Sequence, residues 1–182
     1  MDLQDFEGQS MYFDDPIPHQ AEQLIQQAAD LYGKEGAEQC LLKAFFLAPS
    51  NLTILVAMYR YYYYQHMYKD AILVAFRAME VSATRLKLPE NWQDLKLTHL
   101  GEGAVISMGL LRFYLMALKG AGYLYLRDGN FEAGADMLAK VVEVDPQDRL
   151  RAAFLLDIAL EALNIESGAN VHSIRGFEKS TI

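Results

Sequence analysis

The sequence predicts an all-α fold, a short solenoid of helical hairpins with an irregular insert and a C-terminal capping helix. Three observations carry that expectation. From His19 onward the apolar residues recur with a helical period almost everywhere. Small residues recur at a fixed interval: Ala37 and Ala71 stand 34 positions apart, as do Ala44 and Ala78. A period of this size marks a helix–turn–helix unit whose two helices cross closely at the small side chains. Finally, Gly33, Gly36, Pro49, Pro89, Gly129 and Pro146 fall between the periodic runs and punctuate them.

Taken in order, residues 1–17 hold Gly, Ser, Asp and Pro with little periodicity and read as a mobile acidic arm. Phe6, Met11, Tyr12 and Phe13 give the arm apolar points with which to fold back or to meet a partner. Leu24, Ala28 and Leu31 predict a first helix that breaks at Gly33 to Gly36. Ala37, Leu41 and Ala44 open a second that ends near Pro49, and Ser50 or Asn51 can cap the third. Repeat units are expected at about 18–51, 52–85 and 115–148, with an insert at 86–114. Within the insert, Pro89 and Asn91 break the preceding helix, Trp92 to Leu100 suit a short helix, and Gly101 and Gly103 end it. A long helix is expected from Val105 to Arg127. A capping helix over 149–164 closes the helical domain of 18–164, because an exposed last repeat must cover its apolar face. The polar segment 165–182 reads as a flexible tail.

The segment ALKGAGYLYLRDGNFEAGADMLAKVVEVDPQD resembles the tetratricopeptide repeat family. Gly122 and Tyr125 occupy its first helix, Gly129 and Phe131 its turn, Gly134, Leu138 and Val141 its second helix, and Asp145-Pro146 its end. Gly134 and Val141 stand where the family usually has alanine. The two earlier units rest mainly on their spacing.

The resemblance gives the tyrosine-rich stretch MYRYYYYQHMYKD, Met58 to Asp70, a frame. In this family the first helix of each unit lines a concave groove. Tyr59 and Tyr62 fall at packing positions, Tyr61 beside them, and Tyr68 at the turn. Val56, Arg60, Tyr63 and Tyr64 fall toward the concave surface, as do Met116, Lys119, Tyr123 and Arg127 of the last unit, together with Leu126. A surface of Tyr, Met, Arg and Lys has the make-up of a protein-binding site, in which rigid amphipathic rings and forked cations carry the contact. Packing is the simpler role for Tyr59, Tyr61, Tyr62 and Tyr68. For Tyr63 and Tyr64, packing against the insert and contact with a partner both stay open.

Composition narrows the function. The formal net charge of −8 argues against nucleic acid or an anionic membrane as main partner. The acidic start MDLQDFEGQS does not read as a signal peptide. No uninterrupted apolar run approaches the ~20 residues of a membrane span. The lone Cys40 allows no internal disulfide and suits a reducing, cytoplasmic setting. His19, His66, His99 and His172 lie far apart, without zinc-ligand spacing. Gly101-Glu102-Gly103 lacks the third glycine and the strand of a nucleotide fingerprint. Glu132, Asp136, Glu143 and Asp145 read as a solvated helix and its end. No cofactor, metal or catalytic group is therefore expected. A carboxylate clamp of the chaperone-tail type is also unexpected, since His19, Glu22 and Gln26 stand at the corresponding places and Glu22 repels a carboxylate.

A second resemblance covers most of the chain. Phe13–Pro18, Leu31–Gly33, Leu41–Ala71, Leu88–Trp92, Leu110–Leu138 and Val144–Ala159 are together similar to small helical-repeat proteins found with bacterial nitrogen-fixation systems. It implies an accessory protein that associates with nitrogenase or its assembly machinery. The expectation is thus a non-enzymatic adaptor that binds another protein, possible oligomerisation being unspecified. Two alternatives stand beside it: a chaperone that shields a partner's helix in its groove, and an enzyme-like or metal-trafficking factor using His66 and Cys40.

Overall fold

Seven α-helices and one 3₁₀ turn, with no strand among the described residues, make up the computed structural model, which describes residues 16–177 and the side chains of 16–165. The helices are α1 (His19–Asp30), α2 (Ala37–Leu47), α3 (Leu52–Tyr64), α4 (Tyr68–Leu86), α5 (Leu97–Arg127), α6 (Phe131–Val144) and α7 (Ala153–Phe177), with the 3₁₀ turn at Trp92–Asp94. The all-α expectation holds. The arm, apart from its last two residues, and the final five residues of the tail lie outside the described residues.

Local chemistry sets the boundaries. Gly36 precedes α2 with φ +100°, a conformation that glycine adopts without a Cβ penalty. Of the two candidate caps for α3, Asn51 serves: its side chain accepts from the Ile54 amide at 3.3 Å. Asn130 caps α6 in the same way, accepting from Ala133 at 3.1 Å.

Each helix packs on its neighbour in the chain, α4 on α5 and α5 on α6 most extensively, while α3 touches α1 and α2 as well as α4. Ala37, Ala44, Ala71 and Ala78 are all buried. One core runs through these layers, with Leu52, Ile54, Leu55, Leu86, Phe113, Tyr114, Leu118, Leu124, Leu138 and Val141 almost wholly enclosed.

The insert departs from expectation. Trp92–Asp94 forms only a 3₁₀ turn, and the following helix starts at Leu97 and continues through Gly101 and Gly103. Gly103 does not end it, because it is a packing residue: a Cβ there meets Leu88 Cδ2 at 3.3 Å. The interruption comes at Ser107, which is extended (φ −162°, ψ 107°) and whose hydroxyl accepts from the Leu110 amide at 3.2 Å, capping the second part of the helix. The insert also contributes to the core through Leu88 and Leu95, both buried.

One further expectation needs correction. α7 does not stop at Asn164 but continues to Phe177, since 165–177 contains no proline and isolated glycines cost a helix only about 1 kcal/mol each. α5, 31 residues long, is long and apolar enough to cross a membrane by length and composition, although Arg112 and Lys119 interrupt every apolar run in its second half. Here it is the central core helix, packed on α4 and α6.

α5 and α6 meet where both lack side chains. A Cβ on Gly122 lies 3.0 Å from Leu138 Cγ, and a Cβ on Gly134 lies 3.0 Å from the Gly122 carbonyl oxygen and closer still to Leu126 Cδ2. This explains glycine at 134 in place of the usual alanine. Gly101, also within α5, has nothing within 4 Å of such a Cβ. The same substitution therefore has opposite signs at the two sites. Gly101→Ala should raise stability by about 0.5–1 kcal/mol. In Gly134→Ala the overpacking, about 1–3 kcal/mol, should outweigh the helix gain of up to about 1 kcal/mol and lower the melting temperature. Parallel thermal melts check this, and melts that move in the same direction contradict the close crossing.

Candidate functional site

An open groove of about 590 Å³ lies between α1 and α3. One wall is Ile25, Ala28 and Ala29 of α1 with Tyr32 of the turn that follows it, the other Ala57, Arg60, Tyr61 and Tyr64 of α3, and Leu41 of α2 also lines it. The groove exists because the residues facing across it are small: alanines at 28, 29 and 57 leave the volume that larger side chains would fill. Tyr32 and Tyr64 form its rim and are 51% and 45% exposed, so their rings are available to a ligand. Tyr32 also meets Tyr61 edge-on, with ring centroids 6.4 Å apart. The half-buried Arg60 makes no hydrogen bond or ion pair among the described residues.

A second cluster adjoins this groove through the rings. Tyr64 meets Tyr63 edge-on at 5.3 Å, and Tyr63 meets Tyr123 of α5 at 6.3 Å. Arg127, at the end of α5, donates to the Tyr123 hydroxyl at 3.0 Å and to the Tyr68 hydroxyl at 2.5 Å. Its guanidinium lies 5.0 Å from the Tyr68 ring centre. His66 Nδ1 bonds to the same Tyr68 hydroxyl at 2.8 Å. The hydrogen bond to Tyr123, followed by the charge interaction with that residue, pushes the Arg127 pKa above its ordinary value.

The expected surface residues thus separate into three groups. Arg60 and Tyr64 line the groove; Tyr63, Tyr123 and Arg127 form the adjoining ring cluster; Lys119 lies half-buried on α5. Val56 and Met116, expected on the concave surface, are instead buried in the core. The reason is coverage: α3 is packed by three helices and α5 by two, so fewer positions stay open than a repeat frame assigns. Tyr59 and Tyr62 are buried as packing residues, whereas Tyr61 lines the groove and Tyr68 binds Arg127. The α1 wall was missed because comparison of α3 with α5 says nothing of α1. Its signal was Tyr32, an aromatic in the turn just after α1, four residues beyond Ala28.

Over 161 residues the chain is 50% identical to an uncharacterised 19.8 kDa protein in the nifW 5′ region of Azotobacter chroococcum mcd 1, an alignment covering 88% of this chain and 90% of that protein. The chain belongs to that protein's family. No family model matches it, and no solved structure does.

The remaining chemistry of the tyrosines is that of protonated hydroxyls. Tyr62 donates to Glu38 Oε1 at 3.0 Å, tying α3 to α2. Burial first, then this hydrogen bond, raises its pKa far above 10.0. Burial alone pushes that of Tyr114 up to about 12. The folded chain thus keeps protons that the unfolded chain releases, so the contribution of these groups is whole below pH 10 and is lost as pH climbs from there toward the folded values. Stability should fall between about pH 10 and pH 12, by up to about 1.4 kcal/mol per pH unit for Tyr114 and by less for Tyr62. Tyr114→Phe should flatten that slope in urea titrations taken across this range. A slope unchanged from the parent's contradicts the assignment.

Proposed function

We propose that this protein is a non-catalytic, tetratricopeptide-like binding module. The α1–α3 groove and the adjoining Tyr63–Tyr123–Arg127 face hold a segment of another protein, a nitrogenase component or a member of its assembly machinery. The observation that carries the reading is the make-up of the groove: an apolar floor, tyrosines on the rim and a guanidinium without a partner among the described residues. Interfaces concentrate their energy in such elements, because Tyr makes a large contact at little cost in rotamer freedom and Arg presents several donors in one planar fork. The sequential packing of helices and the 34-residue spacing of buried alanines support the solenoid form. The position of the relative in a nifW 5′ region supports the choice of partner. Binding in this reading takes place in the cytoplasm.

The test is co-purification from nitrogen-fixing cells. Arg60→Ala combined with Tyr64→Ala should weaken capture of the partner by about 2 kcal/mol, roughly 30-fold in Kd. Helicity and melting temperature should stay close to the parent's, since neither side chain is core. Tyr62→Ala is the contrasting variant and should lower stability by about 3–5 kcal/mol. A stable double variant that still brings down nitrogenase components undiminished rejects this groove as the contact.

A further inference from the structure

Arg60 raises a specific question about charge. Its guanidinium lies in a groove walled by Ile25, Ala29 and Ala57, where water is partly excluded and a counter-charge is worth more than at an open surface. The nearby Glu38 does not supply it: that carboxylate accepts from the Tyr62 hydroxyl and forms no ion pair with Arg60 among the described residues. The ligand chemistry called for is an aromatic or large apolar side chain beside a carboxylate. We propose that the groove is a binding site for a short acidic, aromatic segment, and that the chain's own residues Asp5–Asp15 occupy it in cis until a partner displaces them.

Composition, reach and point of emergence favour this occupant. Residues 1–15 carry five carboxylates (Asp2, Asp5, Glu7, Asp14 and Asp15), three aromatic rings (Phe6, Tyr12 and Phe13) and no Lys or Arg. They complement the Arg60 guanidinium and the apolar floor together. The described chain begins at the N-terminal end of α3, one of the two helices that wall the groove: the Pro16 carbonyl accepts from the side chain of Asn51, the cap of α3, at 3.5 Å. From Asn51 to Arg60 along the helix is roughly 14 Å at 1.5 Å per residue. Phe13 and Tyr12, three and four residues before Pro16, reach about 10–13 Å when extended, and Phe6 reaches about 33 Å, past Tyr64. A tether of this length holds the segment at an effective concentration in the millimolar range, so even a weak contact is populated. The inference rests on the same groove as the proposed function and assigns it an internal competitor.

Photo-cross-linking in the full chain tests the proposal. Tyr32→p-benzoylphenylalanine and, separately, Tyr64→p-benzoylphenylalanine place the reactive ring on the two sides of the groove. Phe46→p-benzoylphenylalanine places it on an exposed residue outside the groove. After irradiation and digestion, both groove variants should give cross-links at monomer mass to peptides from Asp5–Asp15, and the Phe46 variant should not. Adding Arg60→Glu should lower the yield about tenfold, and Tyr12→Ala with Phe13→Ala should do the same without touching the helical domain. Cross-links only at dimer mass identify a second copy as occupant and overturn the proposal. Absence of cross-links to 1–15 from both groove positions, or a yield that neither variant changes, also overturns it. The two readings fail separately. Missing arm cross-links with partner capture still lost in the Arg60/Tyr64 double variant remove only the internal competitor. Arm cross-links present with partner capture undiminished remove only the proposed partner contact.

Discussion

The burial of α3 is the constraint on which the rest of the structure depends. Leu52, Ile54, Leu55, Val56, Met58, Tyr59 and Tyr62 are all buried, and they point to more than one side of a single helix. Neighbours on several sides are needed to cover them, and α1, α2 and α4 supply those neighbours. Tyr62 and Glu38 fix α3 against α2 with a hydrogen bond, and the rings of Tyr63 and Tyr123 extend the contact toward α5. What remains uncovered is a narrow strip with Arg60 and Tyr64 on it. The candidate site is therefore the part of α3 that its own packing leaves over.

Much of this architecture was legible in the residues. The helical period, the 34-residue recurrence of alanine and the glycine and proline breaks identify most of the helices and the turns between them. Asn51 was readable as a cap because its side chain can take a free amide. What could not be read is pairwise geometry. Gly103 looked like a helix terminator and is a contact for Leu88, and the break falls at Ser107, which local propensity does not single out. The same gap affected the site. The repeat frame of the resembling family assigns a face to Val56 and Met116 but does not tell how many neighbours cover that face. The family resemblance placed Arg60 and Tyr64 on the open side of α3, yet their opposite wall, Ile25 to Tyr32, became visible only once α1 was in place.

The two clusters differ in how far their chemistry is already satisfied. Arg127 is committed to Tyr68 and Tyr123, and that face is ordered by its own bonds. Arg60 has no such commitment among the described residues and offers a charge-assisted hydrogen bond to whatever enters. A preordered face beside an unsatisfied groove combines rigidity with a reason to bind, since little side-chain freedom is lost on contact.

The extended Ser107 gives α5 a mechanical character that its length conceals. A continuous α-helix transmits cooperativity through its ladder of backbone bonds, and this ladder is cut once, with a hydroxyl closing the cut on the far side. The stretch up to Ile106, whose outer side exposes Leu97, Val105 and Ile106, is thereby separated from Leu110–Leu124, which anchor the core. Local opening of the first part need not propagate into the second. The break thus divides α5 into two helical segments with separate caps, and Leu95 and Gly103 keep the first of them packed on the core.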